Sequence, residues 1–189
     1  MTKIESLGIK ELFARAILNH QNNKLKVAED LYHQILEIDP NHEYSCNNLG
    51  VLFQTLKEYQ KAKNFFEKAI KINPNYTDAY NNLGNVFEKL EENHKAISFY
   101  KKTIEINPNH SLAHNNLGVT FNKLGKYLKA QNFFEKAIKI NPNYIDAYNN
   151  LGTILYKLGD YRKAKGCYEK TIEINPNFLN GYNNLGNSL

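Results

Sequence analysis

The chain has 189 residues, of which 42% are hydrophobic, and it carries a formal net charge of +5. The 24 basic residues comprise 22 Lys and 2 Arg, and the lysines are interleaved with glutamates, so no arginine-rich surface of the kind that reads bases or phosphates is expected. No segment approaches the roughly 20 apolar residues of a membrane span, and we therefore predict neither a nucleic-acid-binding protein nor a membrane protein.

The tetrapeptide Asn-Asn-Leu-Gly recurs five times at a constant interval of 34 residues, with no insertion or deletion between copies. The copies begin at Asn47, Asn81, Asn115, Asn149 and Asn183. A fixed period of this length is typical of stacked supersecondary units that contact only their neighbours. We therefore predict a solenoid instead of one globular core.

The first part of the chain departs from this pattern. Residues 1–8 lack the apolar run of a signal peptide and are interpreted as a leader. Residues 9–42 are predicted to form a degenerate repeat, because Arg15 and Asn19 stand where later repeats have apolar residues. A departure of this kind is typical of a terminal capping repeat.

Four regular repeats follow, at residues 43–76, 77–110, 111–144 and 145–178. Each contains two amphipathic stripes separated by a short break, which predicts two antiparallel helices packed as a hairpin. In the repeat at 43–76, the stripes are Cys46, Leu49, Gly50 and Phe53 in the first helix and Tyr59, Ala62, Phe66 and Ala69 in the second.

Small residues recur in the middle of both helices. Because Gly costs about 1 kcal/mol relative to Ala inside a helix, we predict that each Gly faces an Ala, which lets the two backbones approach closely. The residues concerned are Gly50, Gly84, Gly118 and Gly152 in the first helices, and Ala62, Ala96, Ala130 and Ala164 in the second.

The ends of the helices are marked by Gly and Pro. Gly125 and Gly159 lie in the breaks between helices and suit a left-handed helix end, whereas Lys57 and Glu91 occupy the same place and are predicted to be strained there. Each second helix is predicted to stop at a proline. These prolines are Pro40, Pro74, Pro108, Pro142 and Pro176.

Residues 179–189 supply a first helix without a second one, so we interpret the chain as a fragment of a longer protein. Alternatively, this end frays, or its uncovered face at Tyr182, Leu185 and Leu189 supports self-association.

The two cysteines are predicted to be unpaired. Cys46 and Cys167 lie in repeats three units apart, which corresponds to about 30 Å for helices packed about 10 Å apart. That separation exceeds the reach of a disulfide, and two free thiols indicate a reducing compartment. The expected location is the cytoplasm.

The repeats closely resemble those of the tetratricopeptide repeat (TPR) family, from residue 9 to residue 189. The shared pattern is an aromatic residue, Leu-Gly, a second aromatic, Ala, a third aromatic and Pro within 34 residues. The resemblance implies an all-α TPR solenoid, a right-handed superhelix of antiparallel helix hairpins whose first helices line the concave side. It also implies ligands that are extended peptides or helices of other proteins. The family's usual first-position Trp is replaced by Cys46, Tyr80, His114, Tyr148 and Tyr182.

Paired asparagines lie on the stripe of each first helix that faces away from the hairpin core. We predict that the second members form a ladder of carboxamides along the groove, with the first members beside them. Because a carboxamide both donates and accepts hydrogen bonds, such a ladder grips a peptide backbone without reading its side chains. The predicted peptide-binding residues are Asn48, Asn82, Asn116, Asn150 and Asn184, together with Asn47, Asn81, Asn115, Asn149, Asn183 and Asn85.

The pattern resembles the asparagine ladder in the repeat arm of O-linked N-acetylglucosamine transferases, in which the second Asn before Leu-Gly has this role. The alternative is that the 29 asparagines reflect a coding bias acting on a tolerant surface.

Other kinds of site are not indicated. The carboxylate clamp that grips chaperone tails needs Lys or Arg on the concave stripe, where this chain has residues such as Asp78 and Asp146, so no clamp is expected. His110 and His114 have the i, i+4 spacing of a metal pair, but aromatic pairs replace them in other repeats, so we predict a packing role and no metal site. The acidic residues do not converge and no phosphate-binding loop occurs. We therefore expect no cofactor, and the chain is predicted not to be an enzyme by itself.

The sequence thus predicts a protein-binding scaffold whose partner lies extended along the asparagines. The alternative is the substrate-recruiting arm of a glycosyltransferase, or of another enzyme, that continues past residue 189. Replacing Asn82, Asn116 and Asn150 together by Ala is expected to weaken partner binding and to leave thermal stability equal or higher.

Overall fold

The computed structural model describes residues 3–187, with side chains from residue 8 onward. Within that range the protein has eleven α-helices and no strand. None of these helices is both long enough and apolar enough to cross a membrane. The helices are α1 (Lys3–Gln21), α2 (Leu25–Ile38), α3 (Glu43–Thr55), α4 (Tyr59–Ile72), α5 (Thr77–Lys89), α6 (Asn93–Ile106), α7 (Ser111–Lys123), α8 (Tyr127–Ile140), α9 (Ile145–Lys157), α10 (Tyr161–Ile174) and α11 (Leu179–Asn187).

The chain forms two compact units, residues 1–99 and residues 100–189. In the first unit, α1 packs on α2, α3 packs on α4, and α5 packs on both α3 and α4. In the second unit, α7 packs on α8, α9 packs on α10, and α11 packs on both α9 and α10. Consecutive helices therefore form packed pairs, which confirms the all-α fold that the periodicity predicts.

The first helix begins inside the segment that the sequence indicates as a leader. It starts at Lys3 and is 19 residues long, against 13 for α3. Ile9 and Ala16 are buried, whereas Arg15 is exposed and its carbonyl oxygen accepts a hydrogen bond from the Asn19 amide at 2.8 Å. Arg15 therefore lies away from the packed face of this helix.

The apolar stripes of the second helices form the centre of each packed pair. In α4, α6, α8 and α10 the stripe places an Ala, an aromatic ring and a second small residue on one face at helical spacing, and all three side chains are buried. In α4 these residues are Ala62, Phe66 and Ala69, and in α8 they are Ala130, Phe134 and Ala137.

Gly50, Gly118 and Gly152, in the middle of their first helices, face aromatic rings, so the prediction that these glycines face alanines is wrong. A Cβ atom built on Gly50 would lie 2.5 Å from the nearest atom of the Phe66 ring. The same 2.5 Å separation is found for Gly118 against Phe134 and for Gly152 against Tyr168. The missing side chain therefore lets a ring of the second helix lie directly against the backbone of the first.

Left-handed backbone occurs in the breaks between paired helices, as the sequence predicts. Gly125 and Gly159 have φ values of +69° and +82°. Lys57 and Glu91 adopt φ = 61° at the equivalent positions, although they carry a Cβ atom, which disfavours this region. Asn23 has φ = 57° in the first hairpin, and Asn tolerates the left-handed region better than Lys or Glu.

The prolines that follow the second helices lie within short turns closed by a side chain. The residue before each proline accepts a hydrogen bond on its side-chain oxygen from the backbone N–H two residues later, at 3.0 or 3.1 Å. This contact is an Asx turn, and it explains why Asn or Asp precedes each proline. The acceptors are Asp39, Asn73, Asn107, Asn141 and Asn175.

Candidate functional site

The two asparagines of each pair have different environments. The first asparagines Asn47, Asn81 and Asn115 are buried, Asn149 is half-buried and Asn183 is exposed. The second asparagines and Asn85 are all half-buried. The second asparagines, which we call the asparagine face of their unit, are Asn48 and Asn82 in the first unit and Asn116, Asn150 and Asn184 in the second.

Hydrogen bonds connect the second asparagine of one repeat to the first asparagine of the preceding repeat. The Nδ2 atom of Asn82 donates to Oδ1 of Asn47 at 3.1 Å, and Nδ2 of Asn150 donates to Oδ1 of Asn115 at 3.1 Å. Asn184 makes the same contact with Asn149 at 2.8 Å. Asn47, Asn115 and Asn149 therefore act as acceptors that hold the second asparagine of the following repeat in one orientation.

Neighbouring residues on a helix point about 100° apart, because one turn contains 3.6 residues. This rotation separates the roles of the two asparagines. The first is turned towards the next repeat, and the second stays at the surface with one amide N–H engaged. The contact engages the Nδ2 atoms of Asn82, Asn150 and Asn184 and does not use their Oδ1 atoms. The asparagine face thus presents oriented carbonyl oxygens.

Two tyrosines of the second helices, Tyr32 in the first unit and Tyr168 in the second, lie beside the asparagine face, which the 34-residue pattern alone does not predict. Asn48 Nδ2 donates to the hydroxyl of Tyr32 at 3.2 Å, and the hydroxyl of Tyr168 is hydrogen-bonded to Thr153. Burial raises the pKa of both phenols, so they stay protonated as neutral hydrogen-bonding groups. The signal in the sequence was the alternation of Tyr32, Phe66, Tyr100, Phe134 and Tyr168 at the 34-residue period.

Cavities open at the asparagine face of both units, at equivalent positions. One of about 240 Å³ is lined by Asn48, Tyr32 and neighbouring residues. The other cavity, of about 480 Å³, lies four repeats later and is lined by Asn184, Tyr168 and neighbouring residues. In each, an amide and a ring edge meet beside open space, so the repeated geometry has the shape and polarity of a shallow binding groove.

The charge near the asparagine face is of mixed sign. Asp78 and Asp146 are exposed at the start of α5 and α9. Burial first, and then the charge of Asp146, raises the pKa of the nearby Tyr144 phenol to about 12. Further along α9, Lys157 Nζ donates to Oδ1 of Asn122 at 3.1 Å and lies 5.1 Å from the centre of the Tyr127 ring.

Exposed aromatic rings cluster at one end of the first unit. The Tyr44 ring is half-exposed, and its centre lies 5.9 Å from His42, 6.3 Å from Phe13 and 5.5 Å from Tyr76. Burial raises the pKa of the Tyr76 phenol, with a smaller contribution from Asp78.

The paired histidines have structural roles. His110 Nδ1 accepts the backbone N–H of Ala113 at 3.1 Å and caps α7, while His114 is buried with Nε2 3.0 Å from the carbonyl oxygen of Pro108. Burial lowers the pKa of His114, so its neutral form predominates. Within residues 3–187, no group of three or more His, Cys, Asp or Glu could hold a metal ion.

Both cysteines are free thiols in this structure. Cys46 is buried, and Cys167 is half-buried in α10. Burial raises the pKa of Cys46 and brings that of Cys167 to about 11. Since the thiolate is the nucleophilic form, neither residue has the character of a catalytic cysteine.

The helix pairs are similar to those of several solved repeat proteins. PilF of Pseudomonas aeruginosa superposes with a TM-score of 0.84 at 20% identity, over 98% of this chain and 90% of that chain. YrrB, described as a TPR protein with an unusual peptide-binding site, has a TM-score of 0.70 at 24% identity over 98% of both chains. TTC0263 of Thermus thermophilus has a TM-score of 0.79 at 17% identity, over 95% of this chain and 98% of that chain. At these identities the likeness concerns the fold.

Comparison of sequences identifies the family directly. No curated protein matches the chain significantly. Family models of the tetratricopeptide repeat match residues 44–76 and 145–178, and a further one matches residues 76–143, so that together they span most of the chain. The chain belongs to the tetratricopeptide repeat family.

Proposed function

We propose that the protein is a protein-interaction scaffold that binds extended polypeptide segments through its asparagine face. The observation that carries this proposal is the set of oriented carboxamides at Asn82, Asn150 and Asn184, each held by an asparagine of the preceding repeat. In each of these amides the contact uses one N–H, and neither the acceptor oxygen nor the second N–H takes part in it. A peptide backbone offers one donor and one acceptor per residue, which matches such a row.

The chemistry of this face favours main-chain recognition. Oriented amides gain hydrogen bonds without ordering themselves on binding, which lowers the entropic cost of association. The residues that form the face are neutral amides, and the exposed Asp78 and Asp146 are unfavourable for an acidic tail. The expected ligand is therefore an extended segment without a run of acidic residues.

A non-catalytic role is consistent with the family, whose repeats are typically interaction modules. YrrB supports the proposal as a fold neighbour described as having a peptide-binding site.

The experiment uses a displayed library of unstructured 12-residue peptides selected on the wild-type chain. The best peptide is synthesised, and its dissociation constant is measured by calorimetry for the wild type and for an Asn82→Ala/Asn150→Ala double variant. Loss of two neutral hydrogen bonds predicts an affinity about tenfold lower. Methylation of the peptide's backbone nitrogens is expected to weaken binding more than replacement of its side chains.

The matched control is an Asn47→Ala/Asn115→Ala double variant. It breaks the same two hydrogen bonds between repeats, but it does so by removing buried acceptors that a ligand does not reach. The proposal requires the control to bind the peptide better than the Asn82→Ala/Asn150→Ala variant. Equal losses in both variants would show that the asparagines act only through stability.

A further inference from the structure

Three repeats contain a stacked pair of phenylalanine rings, one from each helix of the hairpin. The two rings are nearly parallel, with interplanar angles of 4° to 12° and centres 5.2 to 5.5 Å apart. A third ring lies near two of these pairs, Tyr80 at 6.4 Å from Phe99 and His114 at 6.1 Å from Phe133. The stacked pairs are Phe53–Phe65, Phe87–Phe99 and Phe121–Phe133.

The repeat at 145–178 has lost both rings of this pair. Leu155 and Cys167 occupy the two positions, one period after Phe121 and Phe133. A surface cavity of about 500 Å³ lies there, lined by Leu155, Cys167 and Leu151 together with Tyr148, the remaining member of the aromatic column. The cavity therefore lies where the preceding repeat places a phenyl ring. We call it the fourth-repeat cavity.

The repeat at 145–178 keeps the two lysines that lie beside the stacked phenylalanines of the preceding repeat. In the preceding repeat, Lys129 Nζ lies 5.7 Å from the centre of the Phe121 ring, and Lys136 Nζ lies 5.4 Å from that of Phe133. Their equivalents Lys163 and Lys170 line the fourth-repeat cavity. Two ammonium groups beside an apolar cavity favour an aromatic ring over an aliphatic group of equal size, because the ring face attracts a cation.

Both lysines form ion pairs, Lys170 with Glu173 at 2.6 Å, and at the position of Lys163 such a pair does not prevent contact with a ring. Lys163 pairs with Asp160 at 2.8 Å. In earlier repeats, Lys61 and Lys95 at the equivalent position also pair with an acidic residue three places before them, and still lie 5.0 and 5.2 Å from a phenylalanine ring centre. Lys163 is therefore able to contact a ring while paired.

The size and polarity of the cavity indicate that the ring belongs to a polypeptide. A cavity of about 150 Å³ is enough to hold benzene, so the fourth-repeat cavity has room for a ring and its attachment. One wall is polar, formed by Gln131 and Glu135 of α8, which hydrogen-bond to each other at 2.8 Å. An amide and a carboxylate suit the backbone that flanks a side chain.

We propose that the fourth-repeat cavity binds a phenylalanine-type side chain of a partner polypeptide, stacked between Tyr148 and Leu155 and faced by Lys163 and Lys170. This site uses the side of α9 that packs towards α8 and α10, whereas the asparagine face uses Asn150 on another side of that helix. The proposal is independent of the function proposed above, and either can fail without the other.

The test measures binding of the capped tripeptide acetyl-Gly-Phe-Gly-amide to the full chain, observed through the methyl resonances of Leu151 and Leu155. We expect saturable binding with a dissociation constant of the order of 1 mM. The analogue with cyclohexylalanine in place of Phe is expected to bind about fivefold weaker, because it has the same bulk without the ring quadrupole. A Lys163→Gln/Lys170→Gln variant is expected to bind the two peptides equally.

Two variants at Cys167 locate the site. Cys167→Phe restores the ring of the earlier repeats and is expected to lower affinity at least tenfold, whereas Cys167→Ala keeps the cavity open and retains binding. If Cys167→Phe does not fold, the two-lysine variant alone decides the question. The proposal is overturned if no saturable binding occurs, if Cys167→Phe binds like the wild type, or if both peptides bind the wild type equally. Free ethylbenzene binding as tightly as the tripeptide would also overturn it, since the ligand would then be a small aromatic molecule.

Discussion

At the scale of single residues, the structure depends on a few buried amides whose partners lie in another repeat. Asn115 is buried, and its side-chain oxygen Oδ1 accepts the hydrogen bond from the Asn150 amide. A buried polar atom that loses its partner retains the full cost of its removal from water. Substitution of the half-buried donor, Asn150, therefore affects stability as well as ligand binding.

A double-mutant cycle tests this coupling. Asn115→Ala and Asn150→Ala are each expected to lower the free energy of unfolding by about 1–2 kcal/mol. The double variant is expected to lose less than the sum by about 1 kcal/mol, because both changes remove one contact. Denaturant titration provides the measurement, and Asn132→Ala, at an exposed position of α8, is the control with a change within about 0.5 kcal/mol. Additive losses would contradict the coupling.

The sequence predicts that both rows of asparagines lie at a surface and that removing Asn82, Asn116 and Asn150 does not reduce stability. The hydrogen bonds of Asn82 and Asn150 argue for the opposite outcome. The periodicity was sufficient to find the asparagines, but two identical neighbours in a sequence do not reveal which one is turned towards the next repeat. That distinction depends on the rotation of α-helices within a packed pair.

The left-handed residues give a second test at this scale. Lys57 adopts φ = 61°, a conformation that costs about 1–2 kcal/mol for a residue with a Cβ atom. Lys57→Gly removes this cost at an entropic penalty of about 0.5–1 kcal/mol, so a net gain in stability of about 0.5–1 kcal/mol is expected. Lys68→Gly, the same change at an exposed position within α4, should instead lose about 1 kcal/mol. Chemical denaturation of both variants checks the contrast, and a loss at both positions would refute it.

At the scale of helices, the contact between a glycine and a ring sets how closely the two helices of a hairpin pack. A Cβ atom on Gly118 would lie 2.5 Å from a carbon of the fully buried Phe134 ring. The sequence identified the close approach correctly and the facing residue wrongly. Alanines and rings alternate on the same stripe of the second helix, and spacing alone does not define which of them lies opposite the glycine.

The Gly118→Ala variant measures this contact. Helix propensity favours Ala by about 1 kcal/mol, but displacing a packed ring costs about 1–3 kcal/mol, so a net loss of about 1 kcal/mol is expected. Gly166→Ala is the matched control, since a Cβ atom there meets nothing within 4 Å, and it should gain about 0.5–1 kcal/mol. Thermal unfolding of the two variants should shift in opposite directions. A stabilised Gly118→Ala chain would show that the ring moves freely.

At the scale of the whole molecule, both units contain histidines that respond to acid, half-buried in the first unit and buried in the second. Burial lowers the pKa of His20 and His42 in the first unit and of His114 in the second, from an ordinary value of 6.5. The unfolded chain therefore binds more protons than the folded chain as the pH falls through about 6.5. The neutral histidines therefore contribute fully to the free energy of unfolding above about pH 6.5, and this contribution is lost as the pH falls below that value.

The corresponding variant is His114→Tyr, because Tyr80 and Tyr148 occupy the same position in adjacent repeats. The wild type should lose stability between pH 7 and pH 5, as measured by urea midpoints at each pH. The variant should lose less stability over the same interval. In the wild type the Nδ1 atom of His114 is buried and has no hydrogen-bond partner among the described residues, and the variant lacks this titratable nitrogen. Parallel pH profiles would contradict the role of His114.

The periodicity of the chain was sufficient to predict the helices, their pairing, the left-handed breaks and the family. The site was predictable only in part, because its features arise where a repeat departs from its neighbours. The tyrosine hydroxyls at Tyr32 and Tyr168 depend on an alternation with a period of two repeats. The fourth-repeat cavity depends on two substitutions, Leu155 and Cys167, whose common location becomes apparent only when the stacked rings of the other repeats are seen.

The amide contact between repeats joins residues 35 positions apart, one more than the period. Asn47, Asn115 and Asn149 thus offer the same acceptor to the repeat that follows, and Asn82, Asn150 and Asn184 offer the same donor to the repeat before. When recombination inserts or deletes a whole 34-residue block, the new neighbouring repeats present the same donor and acceptor to each other. The asparagine side chains at the join therefore keep a hydrogen-bond partner. Genes of this design are therefore free to change the number of their modules over generations while each join remains compatible.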